Sequence, residues 1–575
     1  MWRWYGRNAL LLAAVGLAVL PLAWRGPSCG QDFDFHLQSW MELVAHWRAG
    51  ILYPHWAASA NFGAGEPRFV FYPPLSWLLG GLLGVVLPWT WVGFVYTALA
   101  PLGAGLSFRA MALEWMSDEA ASLAACVYAV NPYMLFVAYE RGALAELLAA
   151  AWMPLLVLYG LRKTGSAVPL VLTVAALWLT DAPAAVMGMY FLALVVVVAA
   201  IAEKRWQLVG RAAAATALGL GLAAFWIVPA FYEQRWVEIR RAIGPLMRVE
   251  DSFLFGFVNV ARMPAEERFD AAYHNHVLAL VSWIGVALLA ATAVAAALAW
   301  RKRRSGLWWP LVVAGAAIAV LQFRWSEVLW RMAPELRYLQ FPWRWLLVLG
   351  LVLGALVGLA VGIDRVRISR RVRGLVAVGL ACGMAIVAAL VFWQPCDEDD
   401  NVSAQVATFH DGGFTGTDEY TARGAENDEI QPGLPPVRVL RAADADEGPL
   451  NPDLDTWAPT PADEVPSTVR VEKWSGERRS AVVTSSDAGY AVLRLMDYPA
   501  WRVTVNGSAM PMTARIHRDD GLMAIPVKAG ATQIDVRWGT TEDVWAGRWI
   551  SLAALAITLA WMWKERRRDR DQNFR

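Results

Sequence analysis

Asp32, Asp34 and His36 stand together at the start of the stretch Gln31 to Pro74, which lies between two hydrophobic segments and also carries Glu42, His46, His55, Glu66 and Arg68 among many aromatics. If Asp32 and His36 begin a helix, their spacing of four puts both on one face. A carboxylate and an imidazole placed so could do chemistry. The competing reading is an interfacial connector, with aspartates capping a helix and tryptophans anchoring it among headgroups. A mere connector would be short and polar, whereas this stretch has amphipathic runs suited to lying along a bilayer surface. Further polar groups gather at the outward ends of apolar segments: Tyr139, Glu140, Arg141 and Glu146; Asp181; and Arg337 with Arg344. Each alone reads as an anchor or a helix-end charge, but together they suggest a cavity opening outward.

The elements that must position these residues are membrane helices. The chain has 575 residues, 57% of them hydrophobic, with 32 tryptophans and several apolar runs of membrane length. Mean hydropathy is +0.38. The formal net charge of +1 hides an uneven distribution. Basic clusters flank hydrophobic spans, so they read as inside markers and not as a nucleic-acid surface. Arg3 and Arg7 precede an uncleaved first span, and the cluster Arg301 to Arg304 and the arginines Arg365 to Arg373 mark the cytoplasmic side. About twelve spans result, with residues 25–90 as a large first outer loop and 164–180 as one crossing. Leu75 to Leu87 is too short to cross about 30 Å of hydrocarbon.

Residues 1–394 thus read as a polytopic α-helical domain, 395–545 as a soluble outside domain, and 546–575 as a final span with a basic cytoplasmic tail. The soluble part is loop-rich at first, including Ala442 to Ser467. Its second half alternates in the manner of a small β-sandwich, with Asn506-Gly507 as a hairpin turn. The four cysteines are too scattered for a metal set. Cys126 and Cys382 read as packing residues within spans, while Cys29 and Cys396 both fall outside, where a disulfide can persist. No charged residue falls near the centre of a span, which argues against an ion-coupled transporter.

Motifs across most of the chain carry a resemblance. Asp32-Phe33-Asp34-Phe35-His36, Asn61-Phe62-Gly63-Ala64-Gly65, Phe69-Val70-Phe71-Tyr72-Pro73-Pro74, Tyr139-Glu140-Arg141-Gly142 and Gln340-Phe341-Pro342-Trp343-Arg344 resemble bacterial and archaeal membrane proteins labelled "6-pyruvoyl-tetrahydropterin synthase-related". Tyr498 to Gly507 resembles the outer β-domain of YfhO-like proteins, with Ala500 where a glycine is common. The architecture resembles the GT-C class of lipid-dependent glycosyltransferases. That resemblance implies a cell-membrane enzyme working outside, with a polyprenyl-phosphate sugar as donor and a glycan or lipid as acceptor. It implies Asp32 as the base, Asp34 as second choice and His36 as its orienting partner, with Arg141 and Arg344 for the phosphate. A divalent metal ion is the alternative to these cations. Two other readings are a non-catalytic protein that binds lipid-linked glycans or an envelope-assembly partner, and a lipid or glycan flippase.

Overall fold

The computed structural model describes residues 2–362, 370–443 and 462–573. Arg365 and Arg367, read as inside markers, and 444–461 of the loop-rich stretch lie outside the described residues. Among the described residues, nine helices are long and apolar enough to cross a membrane. The number is 11 if each of two bent pairs is one span: Gln207–Leu222 with Ala224–Trp236, bent by 71°, and Trp308–Leu321 with Arg324–Met332, bent by 99°. These 11 have counterparts in the sequence reading. The remaining expected span, 164–180, folds as the 11-residue helix Val168–Trp178, about 16 Å long at 1.5 Å per residue. Pro74–Val86 is a 13-residue apolar helix, short of membrane length as its sequence predicts.

After the helical bundle the chain builds two antiparallel sheets. One has the order β1-β4-β7, with β1 at Val437–Leu440, β4 at Gly489–Met496 and β7 at Leu522–Val527. The other has the order β2-β3-β8-β5-β6, from Ser467–Ser475, Arg478–Ser485, Gly530–Trp538, Trp501–Val505 and Ser508–Met510. Their inward residues, among them Leu493, Ile525, Val483, Ile534 and Val536, share one core. Asn506 and Gly507 join β5 to β6 with φ of 49° and 78°, the positive angles that a two-residue hairpin needs. The last helix, Glu542–Asn573, follows directly.

The first loop packs against both the helical bundle and the β-domain. Its opening helix, Phe33–Arg48, packs on the bundle, while the later part joins the β-domain core. Trp56 is fully buried, with its ring 5.2 Å from Trp501 and 5.5 Å from Trp538. Isolated bridges pair Ala57 with Glu66 and Ala60 with Phe414. Trp56 is thus held by a domain more than 400 residues downstream, while Trp40 is buried in the bundle core.

Candidate functional site

Asp32 occupies the N-cap of Phe33–Arg48, yet its side chain makes no capping bond. Its Oδ2 accepts from Arg141 Nη2 at 3.0 Å. The Asp32 side chain is 41% exposed and the Arg141 side chain 3%. Backbone contacts fix this meeting, for Asp32 N–H donates to the Arg141 carbonyl at 2.8 Å. Arg141 ends a π-helical turn, Val137–Arg141, closed by Gly142 at φ +61°. A Cβ on Gly142 would lie 3.0 Å from Phe33 N, and one on Gly30 would lie 2.6 Å from the Glu140 carbonyl. Only glycine lets the two segments approach this closely.

Around Arg141 the polar groups are dense. Its Nε donates to Gln31 Oε1 at 3.0 Å, and its Nη1 lies 3.9 Å from Glu146 Oε2. Arg344, on the turn Pro342–Trp345, places Nε 3.5 Å from that same oxygen. Tyr133 hydroxyl donates to Glu146 Oε1 at 2.7 Å. Phe341 and Trp343 stack at 4.7 Å and flank the cations, with Arg141 5.1 Å from the Trp343 ring and Arg344 5.2 Å from the Phe341 ring. Even so, Arg141 Nη1 and Arg344 Nε and Nη1 are buried without a hydrogen-bond acceptor. A buried charged donor left open costs more than the ~1–3 kcal/mol of a neutral one, so these atoms set the pair apart from an ordinary buried ion pair.

Asp181 caps Ala182–Glu203 by accepting from Ala184 N–H at 2.7 Å. Burial pushes its carboxyl up to about 6, and Arg344 opposes that shift. His36 does not orient Asp32. Its Nε2 accepts the Leu144 N–H at 3.1 Å, and no hydrogen bond among the described residues links its ring to that carboxylate. Burial lowers His36 to about 4, so the ring is neutral with its proton on Nδ1, and it pins the segment after Gly142 to the first-loop helix. Arg141 is the side chain that holds Asp32.

The other expected residues scatter. Tyr139 hydroxyl donates to the Ala18 carbonyl, and the Glu140 carboxylate accepts from Gln394 and Tyr273 and makes no bond to Asp32 or Arg141. Asp34 is exposed on the first helical turn, and Arg337 is exposed on Pro334–Arg337, apart from the cluster. Tyr133 and Gln31 were missed. Nothing in the spacing links Tyr133 to Glu146, 13 residues on. Among the described residues no three His, Cys, Asp or Glu side chains converge as metal ligands.

Two fastenings hold the site. Cys29 and Cys396 form a disulfide, and beside it Gln394 N–H donates to Ser28 Oγ, which donates to the Tyr139 carbonyl. Arg68 is buried against Glu66, with Nε 2.6 Å from Oε1. It also donates to Ser39 Oγ, the Phe35 carbonyl and Thr417 Oγ1.

Comparison with curated proteins finds no match. Among solved structures, the chain is similar to the arabinofuranosyltransferase AftD from Mycobacteria, with 14% identity and a TM-score of 0.43 over 93% of this chain and 57% of that one. It is also similar to the Archaeoglobus fulgidus oligosaccharyltransferase in the apo form, with 12% identity and a TM-score of 0.43 over 77% of this chain and 63% of that one. The chain thus spans less than two thirds of either structure. A family model described as "6-pyruvoyl-tetrahydropterin synthase related domain; membrane protein" matches residues 69–395. That stretch is more than half of the sequence and includes Arg141, Glu146, Asp181 and Arg344, and by it the chain belongs to this family of membrane proteins.

Proposed function

We propose that this protein is a GT-C-type glycosyltransferase of the cytoplasmic membrane, moving a sugar from a polyprenyl-phosphate carrier to a hydroxyl of a glycan or lipid acceptor on the outer face. The observation that carries the reading is the set of open guanidinium donors on Arg141 and Arg344 beside the half-exposed Asp32 carboxylate. A planar fork of donors matches phosphate oxygens, and a carboxylate at its edge is placed to take a proton. The basic cluster Arg301 to Arg304 supports the orientation. Nucleotide sugars are cytoplasmic, so a site facing outward needs a lipid-borne donor.

In this mechanism the acceptor oxygen attacks the anomeric carbon while Asp32 takes its proton. The carbon–oxygen bond to phosphate breaks, and the electron pair leaves with the phosphate. Arg141 and Arg344 meet the charge that develops there. Tyr133 and Glu146 hold the two guanidiniums in register.

The test is transfer from a labelled polyprenyl-phosphate sugar by purified protein. Asp32→Asn keeps the shape and removes the base, so the rate should fall by about 10²–10⁴-fold, with folding and donor binding unchanged. Full transfer by this variant would remove Asp32 from the mechanism. Donor binding by the wild type without any turnover would favour a binding protein, and movement of the lipid across reconstituted vesicles a flippase.

A further inference from the structure

A second polar hollow lies on the β-domain, apart from Asp32. It is a cavity of about 180 Å³ between the turn at Arg235 and Trp236, the segment at Arg423, and the chain from Asp497 to Leu522. That volume is below the roughly 300–1,000 Å³ of drug-sized ligand sites, and suits a single ring. Its charges do not balance. Asp497 is taken by Arg515 at 2.7 Å, and Arg518 by Asp520 at 2.6 Å. Arg235 and Arg423 have no ion-pair partner among the described residues. Arg235 is held in place by its guanidinium lying 3.5 Å from the Tyr232 ring centre.

Apart from His517, the remaining side chains of the wall are apolar. Trp236 is braced edge-on by Tyr498 at 5.5 Å, and Met512 and Ile516 stand at the rim, 52% and 36% exposed. A small hollow lined by an indole and by two guanidiniums without ion-pair partners, that of Arg235 5.6 Å from the indole ring, suits a ring that has an apolar face and a carboxylate edge. We propose that this cavity binds a carboxylate-bearing sugar, as a recognition site for an acidic saccharide. The C–H face of the ring packs on Trp236, and the carboxylate takes the forks of Arg235 and Arg423.

A chain of packed residues links the cavity wall to the helix that Asp32 begins. Val237 bridges to Ala422, and Tyr420 stacks on Phe71 at 5.5 Å. The next residue, Tyr72, lies 4.8 Å from Phe35 in the helix that Asp32 begins. A role in holding the acceptor rests on the transferase reading, but sugar binding itself does not.

Full-length protein in lipid nanodiscs is titrated with a glucuronic acid disaccharide, its neutral glucose counterpart and inorganic phosphate, and followed by saturation-transfer NMR and calorimetry. The acidic disaccharide should bind at least tenfold more tightly than the other two. Arg423→Gln and Arg235→Gln should each weaken it about tenfold, the scale of a lost hydrogen bond to a charged group. Asp32→Asn should leave it unchanged whether or not transfer occurs, which separates this test from that of the transferase. Equal binding of acidic and neutral sugars, phosphate binding as tightly as the disaccharide, or insensitivity to both arginine variants would overturn the proposal.

Discussion

Two buried arginine centres lie close together and behave differently. Arg68 is 1% exposed, and Glu66, Ser39, Thr417 and the Phe35 carbonyl take up its donors. Phe35 and Phe414 cover its faces at 4.3 and 5.1 Å. Arg141 is 3% exposed and Arg344 8%, yet both keep donors without acceptors. Burial is therefore not what separates them. Arg68 joins the first loop to the chain near Thr417 with its donors taken up, whereas the other pair keeps open the donors that the proposed phosphate would fill.

The largest effect that would break this contrast is on stability. Arg68→Met leaves Glu66 buried and unpaired, which should cost about 3–5 kcal/mol in thermal unfolding of the detergent-solubilised protein. Adding Glu66→Gln should restore part of it. A stable single variant would mean that Arg68 is no staple. Next is Arg344→Lys, which keeps the charge and loses the fork. Transfer should fall by about 10–100-fold, the scale of a lost hydrogen bond to a charged group, while the melting temperature hardly moves. A loss of stability equal to that of Arg68→Met would erase the distinction.

The smallest expected effect is on pH dependence. Burial raises Asp181 from its usual 3.8 to about 6, so ionising it is harder in the folded protein than in the unfolded chain. Its contribution to stability is full below 3.8, is lost as pH rises toward 6, and stays lost above. Neutralising this carboxyl also leaves the neighbouring arginines less compensated, so binding of an anionic lipid phosphate should strengthen as pH falls through about 6. Asp181→Asn should flatten both profiles between pH 4 and 7. Profiles that keep their slope in the variant would assign the titration to another group.

The helices and the Asn506-Gly507 hairpin were legible because each is encoded by its own residues, in apolar length or in positive φ. Asp32, Arg141, Glu146 and Arg344 could be picked out because charge at the end of an apolar run is conspicuous. Their pairing could not, since Asp32 and Arg141 are 109 residues apart. His36 was misjudged for the same reason, its partner being a backbone N–H 108 residues on. Arg337 looked like Arg344 in sequence, and only tertiary packing separates the exposed residue from the buried one.

The disulfide also constrains parity. Bonded cysteines lie on one side of the membrane, so the chain from Cys29 to Cys396 crosses it an even number of times. Between them lie seven unbent spans and two bent ones, an odd number when each crosses once. Of the two shorter apolar helices in between, Pro74–Val86 and Val168–Trp178, the second has its ends in different surroundings. Just before it, Ser166 bonds to Glu565, which lies 22 residues, or about 33 Å, along the last helix from Asp543 at its β-domain end. Just after it, Asp181 stands with the arginines of the site. The helix's length of about 16 Å is about half of a ~30 Å hydrocarbon layer.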